Sequence, residues 1–136
     1  MASNFKYATA VKAAKLDATG LNAYIGASAK LDIYDGTQPV NPNTAITSQQ
    51  KLAEFICNAG GFGSVSGGVL TAGAIGAGTG LVASTATWAR LWKSDGTTPV
   101  FDCTVGTSGT DIIISNAAIT VGESLTVSGL TITGGN

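Results

Sequence analysis

Histidine is absent from this chain of 136 residues, and arginine occurs once, at position 90. The first absence removes Ser-His-Asp and Cys-His nucleophilic pairs, histidine metal sites and the commonest general base near neutral pH. Charge is scarce throughout: 11% of the residues are Asp, Glu, Lys or Arg, where an ordinary globular domain carries about 25%. Seven basic residues against eight acidic ones leave a net charge of −1, so neither nucleic acid nor an anionic membrane is an expected partner. Long apolar runs are missing too. Lys6, Lys12 and Lys15 interrupt the only stretch that could serve as a secretory signal core, and none is expected. Gly67 to Ala86 is built of Gly, Ala, Ser and Thr with too few large side chains for a transmembrane helix. Cys57 and Cys103 lack the C-x-x-C spacing of redox and zinc motifs. They are expected as buried thiols in a cytosolically made chain, with a disulfide as the alternative.

Glycine is plentiful, with 19 copies, and it punctuates the chain. Only the beginning has helical spacing: Ala8, Val11, Ala14, Ala18, Leu21 and Ile25 recur in steps of three and four, with Gly26 placed to end the helix in the left-handed conformation. That pattern fits a helix covering one end of its own sheet, or an arm docking on a neighbouring subunit. Residues 1–30 are therefore expected as an N-terminal segment with one helix, and 31–136 as a β-sandwich, the two forming one domain.

From residue 31 onward the period is two. Leu31-Ile33, Leu52–Cys57, Val69–Ala72, Asp111–Ser115 and Ser124–Thr133 read as strands broken by Gly, Pro and Asn, and Gly129 is expected to kink the last of them. Thr85 to Val105 reads as a hairpin around Ser94-Asp95-Gly96. A three-residue loop pairing Lys93 with Thr97 places Ala89, Leu91, Phe101, Cys103 and Val105 on one face and Trp88, Arg90, Trp92, Val100 and Asp102 on the other. Arg90 then reaches Asp102 diagonally. The D-G-T-x-P-V at Asp35–Val40 and again at Asp95–Val100 is reused turn chemistry, with glycine supplying a positive φ. About seven or eight short strands with glycine-bearing turns point to a mainly β, single-domain sandwich or jelly roll.

Few constellations carry chemistry. Gly78-Thr79-Gly80-Leu81-Val82-Ala83 matches G-x-G-x-x-A in form, but the expected hairpin leaves no room for the long helix a dinucleotide site needs. Asp35 and Asp95 serve turns and Asp102 has Arg90, so pairings such as Asp32 with Asp35 or Asp95 with Asp102 do not read as an acid/base dyad. A calcium loop is missing as well. No enzyme, catalytic residue, metal or cofactor is expected. Trp88, Arg90 and Trp92 remain, aromatic and cationic side chains of the kind that interfaces enrich. They read either as an interface or as a second packed face beneath the N-terminal helix. Phe5, Tyr7 and Val11 in the N-terminal segment are further candidate contacts.

The runs Leu31-Asp32-Ile33-Tyr34-Asp35-Gly36-Thr37-Gln38-Pro39, Leu52-Ala53-Glu54-Phe55, TATWARLWKSDGTT over 85–98 and Val105-Gly106-Thr107-Ser108-Gly109-Thr110-Asp111 give the chain a likeness over about residues 31 to 133. In them it resembles small structural proteins of tailed-bacteriophage virions, in particular capsid cement or decoration subunits. Cys103 stands where the resemblance leads one to expect a small residue, often glycine, and Cys57 where it leads one to expect an aliphatic one. The likeness implies a jelly-roll or sandwich subunit, made in the host cytoplasm and resident in the virion. Such a subunit assembles as a trimer or dimer and contacts the major capsid protein and other virion proteins. The alternatives are a tail, neck or fibre-associated subunit, or a carbohydrate-binding β-sandwich on the virion surface.

Overall fold

Alternating side chains and glycine breaks yield short strands joined by tight turns, shown by the computed structural model, which describes residues 5–8, 20–66 and 69–133. In chain order the elements are β1 (Lys6–Tyr7), α1 (Gly20–Ile25), β2 (Lys30–Tyr34), β3 (Lys51–Ile56), β4 (Gly63–Ser66), β5 (Val69–Ala72) and β6 (Gly78–Thr79). There follow β7 (Ser84–Thr85), β8 (Trp88–Trp92), β9 (Pro99–Gly106), β10 (Ile112–Ile114), β11 (Ala118–Ile119), β12 (Ser124–Leu125) and β13 (Val127–Thr133). The chain is mainly β. Most of the helix expected over 8–25 falls on residues outside the described set. At its start Ala8 prolongs β1, its N–H donating to Val100 O at 3.0 Å. Its end is as expected: Gly26, at φ 72°, donates to Asn22 O at 3.2 Å.

One sheet of nine strands runs β3-β2-β8-β9-β10-β13-β5-β4, with β1 added to β9. All neighbours are antiparallel except β9 and β10. Parallel neighbours ordinarily need a long crossover. Here the pairing covers only Val105–Gly106 against Ile112–Ile113, and a tight loop suffices. Asp111 accepts from the N–H and hydroxyl of Thr104, and Thr110 packs where a side chain on Gly106 would stand.

The sheet curls. Along the outer edge of β3 runs the 76–81 segment, where Gly76 N–H donates to Ile56 O and Leu81 N–H to Leu52 O. Its middle, β6, pairs with β12, which leads straight into β13 near the far end of the sheet. Gly78 and Gly80 permit this course, because a Cβ on Gly78 would meet Glu54 O and the Phe55 ring, and one on Gly80 would meet Thr120 O. At the opposite edge the Asn22 side chain donates to Gly63 O and accepts from Gly63 N–H, occupying the first rung that β4 would offer a further strand. The concave core holds Leu31, Ile33, Leu52, Phe55, Leu91, Phe101, Cys103, Ile112, Ile114 and Leu125, all buried.

The central hairpin departs from the expected register. Lys93 N–H bonds to Thr98 O, leaving a four-residue loop, and a bulge between Leu91 and Trp92 absorbs Val100, so Arg90 lies directly opposite Asp102. Two residues of slip in a period-two strand keep Ala89, Leu91, Phe101 and Cys103 on one face and Trp88, Arg90 and Asp102 on the other, whereas Val100, expected with the tryptophans, joins the core cluster and every pairing changes. Gly96 has the expected positive φ, 72°.

Candidate functional site

The convex face of β2, β8 and β9 collects most of the chain's chemistry. Because Trp88, Arg90 and Trp92 alternate with core residues, they share this face. Strand register then sets Asp32 on one side of Arg90 and Asp102 on the other. Glu54 of β3 lies beyond Asp32, and Lys6 of β1 beyond Asp102. A charged row therefore crosses five strands with signs −, −, +, −, +.

Arg90 is the centre of this row. Its Nε and one terminal nitrogen donate to the two oxygens of Asp102 at 2.6 and 2.9 Å. The remaining donors reach the carbonyls of Thr44 at 3.0 Å and Asn41 at 3.5 Å, and the guanidinium carbon lies 5.4 Å from the ring centres of both Trp88 and Trp92. Burial lifts the Asp102 carboxyl above its ordinary range, against the pull of Arg90. A planar, weakly hydrated cation suits such a position better than lysine would.

The 35–50 loop covers this face, and most of the N-terminal helix considered from sequence lies outside the described residues. Asp35 accepts from Gln50 N–H and the Ser84 hydroxyl, its carbonyl takes the Trp88 indole N–H at 2.9 Å, and Gly36 O takes the Thr87 hydroxyl. Tyr34 stacks on Trp88 with ring centres 4.6 Å apart. Trp88 and Arg90 are consequently 1% and 2% exposed. The chain's own loop packs on the face that the sequence left open as an interface or a second packed face, and of the three only Trp92 stays half-buried. Phe5 and Tyr7 are half-buried against Phe101, Phe5 at 4.8 Å between ring centres, within the chain's own β1–β9 pairing. Val11 lies outside the described residues.

The other candidates separate from this site. Gly78 to Ala83 forms the strap along β3, with no helix after it. The Asp95 carboxylate, held at about 2 by bonds from the Thr98 hydroxyl and then the Thr97 and Thr98 amides, closes its turn. Cys57 and Cys103 are free and buried. Among the described residues no group of three or more His, Cys, Asp or Glu side chains is arranged to hold a metal, and no helix is long and apolar enough to cross a membrane. A cleft of about 530 Å³ between β5 and β13, lined among others by Thr71, Ile75, Val127 and Gly129, has no charged lining residue.

Sequence reasoning missed Asp32 with Glu54. Asp32 is 5% exposed, directly across from Glu54, and Lys51 Nζ lies 3.7 Å from the first carboxylate and 3.2 Å from the second. Burial, followed by the charge of Glu54 working against Lys51, pushes Asp32 up to about 6. The available signal was its place between Leu31 and Ile33, which puts it on the face opposite theirs. Compared with models of known protein families, with curated proteins and with solved structures, the chain matches none.

Proposed function

We propose that the chain is a structural subunit of a tailed-bacteriophage virion, a cement or decoration protein that stabilises the head shell as a trimer or dimer on the major capsid protein. On this reading the curled sheet, together with the N-terminal helix, completes a β-sandwich or jelly roll. The observation that carries it is the enclosure of Trp88, Arg90 and Asp102. The side chains richest in chemistry hold a loop onto a sheet, which favours a scaffold over a site that turns over substrate. The runs that resemble phage virion proteins also lie together, on β2, β3, the β8–β9 hairpin and the loop after it. A protein of this kind acts by mass action, since whatever binds the assembled shell alone stabilises it.

Imaging of purified particles tests the proposal. Many copies spread over the shell are expected, and a few copies at one vertex would instead identify a neck or tail subunit. In solution a trimer or dimer that binds expanded shells is expected, and a strict monomer that binds none overturns the assignment. A glycan-binding role would have to rest on Trp92, the tryptophan left partly open. Glycan-array binding lost in Trp92→Ala would replace the shell reading with that one.

A further inference from the structure

Two enclosed side-chain atoms on the convex face have no hydrogen-bond partner among the described residues, the Trp92 indole nitrogen and Asp32 Oδ1, and the second belongs to a side chain that faces another carboxylate. Asp32 Oδ2 accepts from the Tyr34 hydroxyl at 3.3 Å and faces Lys51 Nζ at 3.7 Å, while Oδ1 is fully enclosed and meets no donor among the described residues. A buried acceptor without a donor is a rarity that calls for a reason. The side chain directly across the strand pair is a second carboxylate, Glu54, and a single ammonium, Lys51, lies within 4 Å of both. Two carboxylates so close do not both ionise readily. One proton turns the orphan acceptor into a donor and makes the neighbouring carboxylate its acceptor.

We propose that Asp32 and Glu54 hold one proton between them as a carboxyl–carboxylate pair, drawing β2 and β3 together while it is bound and loosening that edge of the sheet when it leaves for solvent. The groups facing the pair are accounted for strand by strand. Tyr34 and Lys30 come from β2 and Lys51 from β3, whereas Arg90 of β8, opposite Asp32, is committed to Asp102 of β9. Asp35, at the start of the covering loop, is taken up by Gln50 and Ser84. The titration directions agree. Asp32 is raised by burial first, then lowered by Lys51 and raised by Glu54. Burial also pushes Glu54 up, but the hydrogen bond and charge of Lys51, followed by the bond to Asp32, hold it low.

Carboxyl ¹³C NMR of the full chain, titrated in the wild type, Glu54→Gln and Asp32→Asn, tests the pair. The Asp32 carboxyl carbon is expected to titrate with a midpoint near 6, and the Glu54 carboxyl carbon to show an inflection at the same pH. In Glu54→Gln the Asp32 midpoint falls by about half a unit or more, because a neutral amide no longer opposes its ionisation. In Asp32→Asn the upper inflection of Glu54 disappears. A Glu54 signal blind to the Asp32 midpoint, or an Asp32 midpoint unmoved in Glu54→Gln, would show burial acting alone and overturn the proposal. Amide exchange across β2 and β3, corrected for intrinsic rates, is expected to be slower at about pH 5 than at about pH 7.5 in the wild type and equal in Asp32→Asn. Equal protection in the wild type would overturn the mechanical consequence.

Discussion

Arg90 shows how a single cation organises a face in a chain poor in charge. Removing it strands the Asp102 carboxylate in a site with 0% exposure. Arg90→Met is therefore expected to cost about 3–5 kcal/mol, whereas the double change Arg90→Met with Asp102→Leu recovers most of the loss, because no unpaired charge stays buried. Urea midpoints of the three proteins check this, and equal losses in the single and double variants would contradict it. The thiols give a second, simpler expectation. Burial pushes Cys57 up to about 11 and Cys103 well above its ordinary value, so both are protonated and shielded near neutral pH. A thiol reagent should find none in the folded chain and two after denaturation. One fast-reacting native thiol would refute the burial of that residue.

Strands were legible where large apolar residues alternate and obscure where backbone contact alone makes them. β2, β3, β5, β8, β9, β10 and β13 all fall on runs visible in the sequence. By contrast β6, β7 and β11 are two-residue pairings, made where the chain passes close to itself, and no local pattern announces them; β12 opens the Ser124–Thr133 run, but its partner β6 was not legible. The hairpin faces were readable but its pairings were not, since neither the loop length nor the bulge that takes up Val100 has a local signature. Strand order was hidden for the same reason. Nothing near residue 32 reveals that β8 will lie on one side and β3 on the other, so the Asp32–Glu54 pair emerged only from the register. Glycines divide along similar lines. At Gly80 an added Cβ collides with the Thr120 carbonyl, while at Gly129 it meets nothing within 4 Å and the backbone has no positive φ. Gly80→Ala should therefore lower the thermal midpoint clearly, and Gly129→Ala should leave it unchanged or raise stability by about 0.4–1 kcal/mol. The opposite ranking would refute the strap geometry and would show Gly129 to be an indispensable kink.

Stability of the chain as a whole should depend on pH in two opposed ways. Asp32 and Asp102 bind their protons more tightly folded than unfolded; the Asp32 contribution is complete below the usual 3.8 and is lost as pH rises through about 6, and that of Asp102 runs in the same direction. Glu54, Asp95 and Glu123 are held below their ordinary values. Their contribution is present above the ordinary range and is lost as pH falls through it. Together these effects place the maximum near roughly pH 5, with a decline toward neutrality on the order of 2 kcal/mol. Denaturant unfolding across that range checks the shape, and Asp32→Asn should flatten the upper limb alone.

The strand order also has a bearing on how the chain is made. β2 takes its central partner from β8, and β8 takes its own from β9, so β2 waits until about Trp92 for its inner neighbour and until about Gly106 for that neighbour to be paired on its far side. A ribosome adding about 5–20 residues each second needs several seconds for that interval. Meanwhile Leu31, Ile33 and Leu52 have only a two-stranded ribbon on which to rest. Chaperone binding to nascent chains should fall sharply once β9 has cleared the exit tunnel, which makes the eighth and ninth strands the clock of biogenesis.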